Sequence, residues 1–348
     1  MFEDMRFCIC VPHDESLNVS RTWWRRMDEL GFDYIGMADT PMLCREVYLS
    51  LATAAAATSR AQILLMVTNP ITRDISVTAG AMQALRELHG DRFTYGYGAG
   101  DSSILGVGLK LAKGSQIAEY IGALREILGG RTAEYQGRQL KAAWRDWEPW
   151  KPRLWMAANG PNNLRTAAQV ADAVIAGGSF LPEMVKQRID YIRQCAAEAG
   201  RDPAEVEIWH NVPVMPADTL EEGFCNINLL AQAKHFMLHG DRGVPKPPEV
   251  QEALRQIAPL YSVQRHSRTN KEIWDIAQKT GTVDYFVQQA GGMVGPADFT
   301  AAVQRLHDAG ARNVTLIPLG ADRIKGVERM AEATVAKRQS PAPASAGA

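Results

Sequence analysis

Long hydrophobic runs are missing from this chain: no apolar stretch approaches the ~20 residues that a membrane-crossing helix needs, which sets membrane partners aside. The opening MFEDMRF has neither the basic region nor the apolar stretch of a secretory leader, so the expected address is the cytoplasm. Charge of one sign is equally scarce. With 38 Lys and Arg against 39 Asp and Glu, the formal net charge is −1, and no basic footprint marks a nucleic-acid partner. Cysteine is sparse, odd in number and scattered: Cys8, Cys10, Cys44, Cys195 and Cys225. Cys8-Ile-Cys10 would share one face of a strand, but no second pair completes a metal site, and the five read as reduced, mostly buried thiols. Also absent are a His/Asp/Glu cluster at metal spacing, a G-x-S-x-G elbow, a Walker loop and a G-x-G-x-x-G after the first strand. Gly96-Tyr-Gly98-Ala-Gly100 follows a later strand and lacks that spacing.

What is present is a strand–helix rhythm carried by 46% hydrophobic residues over 348 positions. Ile63–Val67 is a continuous apolar run, the mark of a strand buried on both faces. The helix after it has apolar residues at Val77, Ala81, Leu85 and Leu88, a spacing that predicts one buried stripe, and Gly90 ends it. Phe93–Tyr97 resumes strand character. Further strands are expected at Arg6–Val11, Tyr34–Ala38, Arg153–Ala158, Ala173–Ala176, Val206–Val214 and Asn313–Pro318. Helices are expected between them, the last over Ile324–Lys337. Eight strands alternating with helices make the tally of an α/β TIM (β/α)8 barrel. It is read as a single domain over 1–338, with insertions near 131–151 and 218–271, after the fourth and seventh strands, and a disordered tail at 339–348. The first insertion carries Trp144, Trp147 and Trp150, which either fill core or cover something as a lid or subunit contact.

A barrel brings the carboxyl ends of its strands to one mouth. There this chain offers His13, Asp39, Thr68-Asn69, Asp101-Ser102, Ala158-Asn159-Gly160, Gly177-Gly178-Ser179 and His210-Asn211. Glycines dominate, at Gly98, Gly100, Gly160, Gly177 and Gly178. Glycine-rich loops that open helices bind phosphate well, so a phosphorylated ligand is expected. A mouth poor in acid–base residues also points to a cofactor that carries the reaction.

The runs VTNPITR and GDRFTYGYGAGDS, with the later AANGPNNLRTAAQVADAVIAGGS and GPADFTAAVQRLHDAGARNVTLIPL, resemble the bacterial-luciferase-like superfamily. Within it they look most like the branch holding methylenetetrahydromethanopterin reductase and the F420-dependent glucose-6-phosphate dehydrogenases. The resemblance implies a TIM barrel that binds FMN or coenzyme F420 at the strand ends. It places a bulge, with a non-proline cis peptide, at Met66-Val67 behind the tricyclic ring. It also places Thr68 and Asn69 on the ring's pyrimidine edge, Gly98, Gly100, Asp101 and Ser102 along ring and side chain, and Asn159, Gly160, Gly178 and Ser179 at the phosphate, with Ala158 and Gly177 as further cofactor-binding candidates. Asp39 would face the reactive centre, with His13 and His210 as further catalytic candidates. Thr40 stands where sugar-phosphate dehydrogenases have a histidine, and Asp101 where they have a glutamate, which argues against sugar-phosphate oxidation.

The leading expectation is an oxidoreductase, a monooxygenase that uses reduced FMN supplied by a separate reductase and acts on a small organic substrate. The alternative is F420-dependent hydride transfer to or from a substrate carbon, and a further one is a flavin-binding barrel without turnover. The resemblance carries with it a homo-oligomer, expected as a dimer.

Overall fold

The computed structural model describes residues 1–177, 179–213, 216–227, 229–240, 245–262, 265, 270–290, 295–319 and 322–338. In chain order the elements are β1 (Arg6–Cys10), α1 (Leu17–Leu30), β2 (Tyr34–Met37), α2 (Val47–Ala57), β3 (Gln62–Thr68), α3 (Ile75–His89), β4 (Phe93–Tyr97), α4 (Asp101–Leu105) and α5 (Gly114–Leu128). There follow β5 (Ala133–Tyr135), β6 (Arg138–Leu140), β7 (Leu154–Ala158), α6 (Pro161–Val170), β8 (Ala173–Gly177), α7 (Pro182–Glu198) and β9 (Glu207–Pro213). After them come α8 (Leu220–Cys225), α9 (Leu229–His239), α10 (Pro248–Ile257), α11 (Lys271–Thr280), α12 (Val283–Ala290), α13 (Gly295–Asp308), β10 (Asn313–Ile317), α14 (Arg323–Ala333) and α15 (Val335–Arg338). Eight strands close in the order β1-β10-β9-β8-β7-β4-β3-β2, every pair of neighbours parallel. This is a TIM barrel.

Two apolar layers follow from strand alternation. Alternate residues fill the lumen, where Tyr34, Trp155 and Trp209 meet with ring centroids 4.9–5.4 Å apart. Beneath them Arg6 and Arg153 both pair with Glu207, at 3.0 and 2.9 Å, which closes the amino end of the barrel. The other residues pack under the helix ring in one continuous core. The open end is therefore the carboxyl end.

Three expectations need correction. The buried stripe of α3 is Ile75, Thr78, Ala79, Met82, Gln83 and Leu85, while Val77 and Leu88 stand 61% and 68% exposed. Polar Thr78 and Gln83 can be buried because each has a partner: Tyr120 Oη donates to Thr78 Oγ1 at 2.7 Å, and Trp150 Nε1 donates to Gln83 Oε1 at 3.0 Å. The same bond disposes of the lid. Trp144 lies against Gly80, Arg86 stacks 5.2 Å over Trp150, and the Trp150 N–H reaches the Leu128 carbonyl. The tryptophan segment thus clads the outer flank of α3 and the end of α5, away from the mouth. Finally, the expected last helix breaks at Thr334 into α14 and α15, with Thr334 Oγ1 turned back onto the Met330 carbonyl at 2.6 Å.

The glycines of YGYGAG have a packing duty. A Cβ on Gly96 would lie 2.7 Å from the Leu65 carbonyl oxygen and 2.9 Å from Val67 Cγ1, and one on Gly98 would lie 2.9 Å from Val67 Cγ2. Gly122, in α5, meets nothing within 4 Å. Gly96→Ala is therefore expected to destabilise by about 1–3 kcal/mol through overpacking, and Gly122→Ala to stabilise by about 0.5–1 kcal/mol through helix propensity. Urea unfolding of the two variants measures both, and equal effects would contradict the packing argument.

Candidate active site at the barrel mouth

The site is built on a register slip. Leu65 pairs with Tyr95 but Thr68 with Tyr97, so β3 carries one residue more than β4 over this interval. The extra residue is at Met66-Val67, the expected place, and the peptide between them is cis. Both side chains pack with the lumen cluster. Past the bulge, Gly98 donates its N–H to the Thr68 carbonyl at 2.8 Å, which fastens the two strand ends together.

Beside this wall stands Asp39, 3% exposed. Its Oδ2 accepts from Thr68 Oγ1 at 2.6 Å and from the Arg73 guanidinium. Arg73 also donates to Glu46 Oε1 at 2.9 Å and lies 5.2 Å over the Tyr48 ring. Burial presses the Arg73 guanidinium toward losing its proton, but the charge and hydrogen bond of Asp39 outweigh it and its pKa rises. Thr40 Oγ1 is 3.4 Å from Ser102 Oγ. The Asn69 side chain is spent on its own loop: Oδ1 accepts from the Ile71 and Thr72 N–H groups, both at 2.9 Å. Its Nδ2 donates to Ser103 Oγ at 3.2 Å, and that hydroxyl donates to the Gly100 carbonyl at 2.9 Å. Gly100 has φ +91° and no room for a Cβ, since Ile104 Cγ1 would be 2.4 Å away. The side chain of Asp101 lies outside the described residues.

Across the mouth, Asn159 Oδ1 accepts the Gly177 N–H at 2.7 Å, and a Cβ on Gly177 would fall 2.3 Å from that oxygen. Ala158 is buried beside them. Gly160 caps α6 without a side-chain hydrogen bond, and Pro161 opens the helix, so the amide N–H groups of the first turn have no intrahelical acceptor. Ser179 Oγ accepts from the Leu181 N–H at 3.2 Å. Gly178 lies outside the described residues. Arg188, from α7, donates to the Gly177 carbonyl. Burial lowers its pKa, and no carboxylate among the described residues pairs with it. This end of the mouth therefore combines first-turn helix amides without a side-chain cap, a half-buried cation and a glycine cradle, a donor set that fits the phosphate shared by FMN and F420.

Of the two histidines expected at the mouth, the strand places His210 elsewhere. His210 sits in the middle of β9, and its neighbours Ile208 and Val212 belong to the outer core while Trp209 belongs to the lumen. Alternation thus points His210 outward, under the helices, and turns Asn211 inward. The expectation that His210 faces the mouth fails on parity, because one residue decides the face. His13 is buried against Trp24, ring centroids 6.4 Å apart, and its Nε2 is 3.1 Å from the Arg45 carbonyl, an atom that can only accept. Burial lowers its pKa despite nearby Asp39 and Asp14. Sequence reasoning missed Arg73 and Arg188. Arg73 lies inside the VTNPITR run, and the need of a buried Asp39 for a counter-ion was the signal that could have found it.

Burial, aided by the charge of Arg188, pushes the His210 imidazole down from 6.5 to about 4, and neither ring nitrogen has a partner. The unfolded chain takes up this proton near 6.5 and the folded one only near 4, so stability is full above 6.5 and falls as pH drops toward 4. His210→Met is expected to remove up to about 3 kcal/mol of that acid loss, measured by urea unfolding at neutral and acid pH. An unchanged acid slope would refute the assignment.

A family model described as luciferase-like monooxygenase matches residues 5–313. The 5,10-methylenetetrahydromethanopterin reductase of Methanolobus tindarius is 29% identical over 202 residues, 57% of this chain and 61% of that protein. Its namesake from Archaeoglobus fulgidus is 29% identical over 169 residues, 47% of this chain and 51% of that protein. The matches thus span between about half and three-fifths of these relatives' length. Among solved structures, a coenzyme F420-dependent tetrahydromethanopterin reductase from Methanopyrus kandleri superposes with TM-score 0.72 at 21% identity, over 96% of this chain and 99% of that one. An FMN-bound type II Baeyer-Villiger monooxygenase component from Pseudomonas putida superposes with TM-score 0.64 at 15% identity, over 97% and 100%. At these identities the structural likeness is one of fold. With the family model running from before β1 to the first residue of β10, the chain belongs to the luciferase-like monooxygenase family of oxidoreductases.

Proposed function

We propose that this oxidoreductase works with coenzyme F420 and passes a hydride between the deazaflavin and a cationic, iminium-type carbon of a small substrate. The clamped carboxylate of Asp39 carries the reading. Its Oδ2 accepts from Thr68 and from Arg73, which fixes the carboxylate at the mouth against a cationic partner. One guanidinium serves both Asp39 and Glu46, which leaves the group of three with net negative charge. Such a site stabilises positive charge on a carbon that gains or gives up a hydride. His210 faces the outer core, so it supplies no proton to a reduced carbonyl. The sequence likeness to enzymes named as reductases supports the same order, and it reverses the initial preference for FMN.

Met66, Val67, Gly98 and Gly100 would hold the ring, and Asn159, Gly160, Gly177, Ser179 and Arg188 the phosphate. F420, when bound, supplies a carbon that donates or accepts hydride and does not react with oxygen. Thr68 and Arg73 orient Asp39, and the buried β3 and β4 ends exclude water. Titration of the protein with F420 and with FMN, each oxidised and reduced, is followed by ring fluorescence. F420 is expected to bind, with FMN weaker. Binding of neither below about millimolar rejects a cofactor site, and binding of FMN alone returns the monooxygenase reading. Gly177→Ala is expected to weaken binding at least about tenfold with the barrel intact by circular dichroism, because its Cβ displaces the Asn159 oxygen.

We propose further that a second copy of the chain docks on α2 and α3. Leu49, Val77 and Leu88 are 62%, 61% and 68% exposed there, and neither helix bears a charged residue before Arg86. An uncharged face of small and apolar residues is complementary to itself about a twofold axis. Sedimentation velocity is expected to give a dimer for the native chain and a folded monomer for Val77→Glu/Leu88→Glu. A native monomer refutes the contact.

A further inference from the structure

We infer that Arg73 is a positioning residue of the reaction centre, acting through Asp39. The inference rests on the placing of Asp39 at the reacting end of the mouth. Arg73 follows the β3 bulge by a few residues, and from there it reaches two other elements. It donates to Asp39 at the end of β2 and to Glu46, the cap of α2, at 2.9 Å, while its guanidinium covers the Tyr48 ring at 5.2 Å. Its side chain is 18% exposed and that of Asp39 is 3% exposed. A long cation held on three sides in this way has little rotameric freedom, and it transmits that rigidity to its partner.

The consequence for Asp39 is chemical as well as geometric. Thr68 and Arg73 converge on Oδ2, so Oδ1 is the oxygen left to face a ligand. For a carboxylate this buried the Arg73 guanidinium supplies the counter-charge. The other groups around it do not replace that cation. Glu46 and Cys44 come from the segment before α2 and Tyr48 from α2 itself, all neutral or negative, and His13 comes from the loop after β1, with its pKa lowered by burial. Arg73 is thus the permanent cation in direct contact with Asp39, hydrogen-bonded to its Oδ2. Glu46 competes for it, so the strength of the clamp is shared between two carboxylates.

The test follows Asp39 directly, by carbon NMR of protein labelled at the Asp side-chain carboxyl, with Asp39→Asn to assign the resonance. No substrate or cofactor is required. In Arg73→Gln the titration of Asp39 is expected to move to higher pH by about one unit or more, and Arg73→Lys is expected to restore most of the native midpoint. Glu46→Gln, which keeps an oxygen for the α2 cap, is expected to move it the other way, because Arg73 is then left to Asp39 alone. An Asp39 midpoint unmoved in both Arg73→Gln and Glu46→Gln overturns the proposal, and should Arg73→Gln fail to fold, the direction of the Glu46→Gln shift decides. A purely structural Arg73 would lower the melting temperature and leave the midpoint in place. Failure of the cofactor reading shows instead in the fluorescence titrations, with the NMR result unaffected.

Discussion

Val67 occupies space that two residues of the neighbouring strand leave free, its methyl carbons 2.9 Å from where Gly96 and Gly98 would carry Cβ atoms. This contact lets β3 hold one more residue than β4 without parting from it, and the rest of the mouth follows from it. Beyond the bulge the strand phase is reset. Thr68 then turns its hydroxyl to Asp39, Asn69 folds its amide over its own loop, and Arg73 returns across α2. A side chain on either glycine would push the bulge off the sheet, and each of these contacts is downstream of it. The chemistry of the site thus depends on a steric allowance in a strand that supplies little of the chemistry itself.

Two half-buried guanidiniums mark opposite ends of the mouth, and they differ in what balances them. Arg73 has two carboxylates and a ring face, so its desolvation is repaid within the protein. Arg188 has a backbone carbonyl, which offers a dipole but no charge. Buried ions without a counter-charge cost several kcal/mol, and a fold that keeps one beside uncapped helix amides is short of an anion there. The mouth is therefore polarised, with a satisfied and net negative group by β2 and β3 and an unsatisfied positive one by β7 and β8. An elongated ligand that is cationic at its reacting end and anionic at its tail matches that polarity in one orientation.

The alternation of strands and helices was plain in the sequence, since buried parallel strands read as apolar runs. All eight barrel strands lie within a residue of their expected limits at each described end. The bulge at Met66-Val67 was legible through family likeness. Other features were not, for physical reasons. Gly98 was read for a ligand alone, because composition cannot say that a missing side chain also makes room for Val67. His210 was placed at the mouth, because a histidine near a strand end invites that reading, whereas its face is set by a period of two and reverses with a single residue. The stripe on α3 was assigned from Val77 and Leu88, and the structure buries Thr78 and Gln83 instead, since Tyr120 and Trp150 arrive from distant segments to satisfy them. The Asp39–Arg73 pair spans 34 positions and exists only because β2 and β3 are neighbours.

That last pair bears on how one barrel serves two kinds of cofactor chemistry. In the proposed reading the features that would grip a phosphate are backbone amides, a glycine and a cation from a helix, which suit a group common to FMN and F420. Selection between the two must then come from the other end, where the wall is a backbone bulge and the charged residue is Asp39. An anion fixed there disfavours chemistry that builds negative charge near it and favours chemistry that builds positive charge. Activation of oxygen by a reduced flavin develops negative charge, whereas loss of hydride from a substrate carbon leaves a positive one. The clamp of Thr68 and Arg73 on Asp39 thus ties the choice of reaction to the same bulge that shapes the pocket.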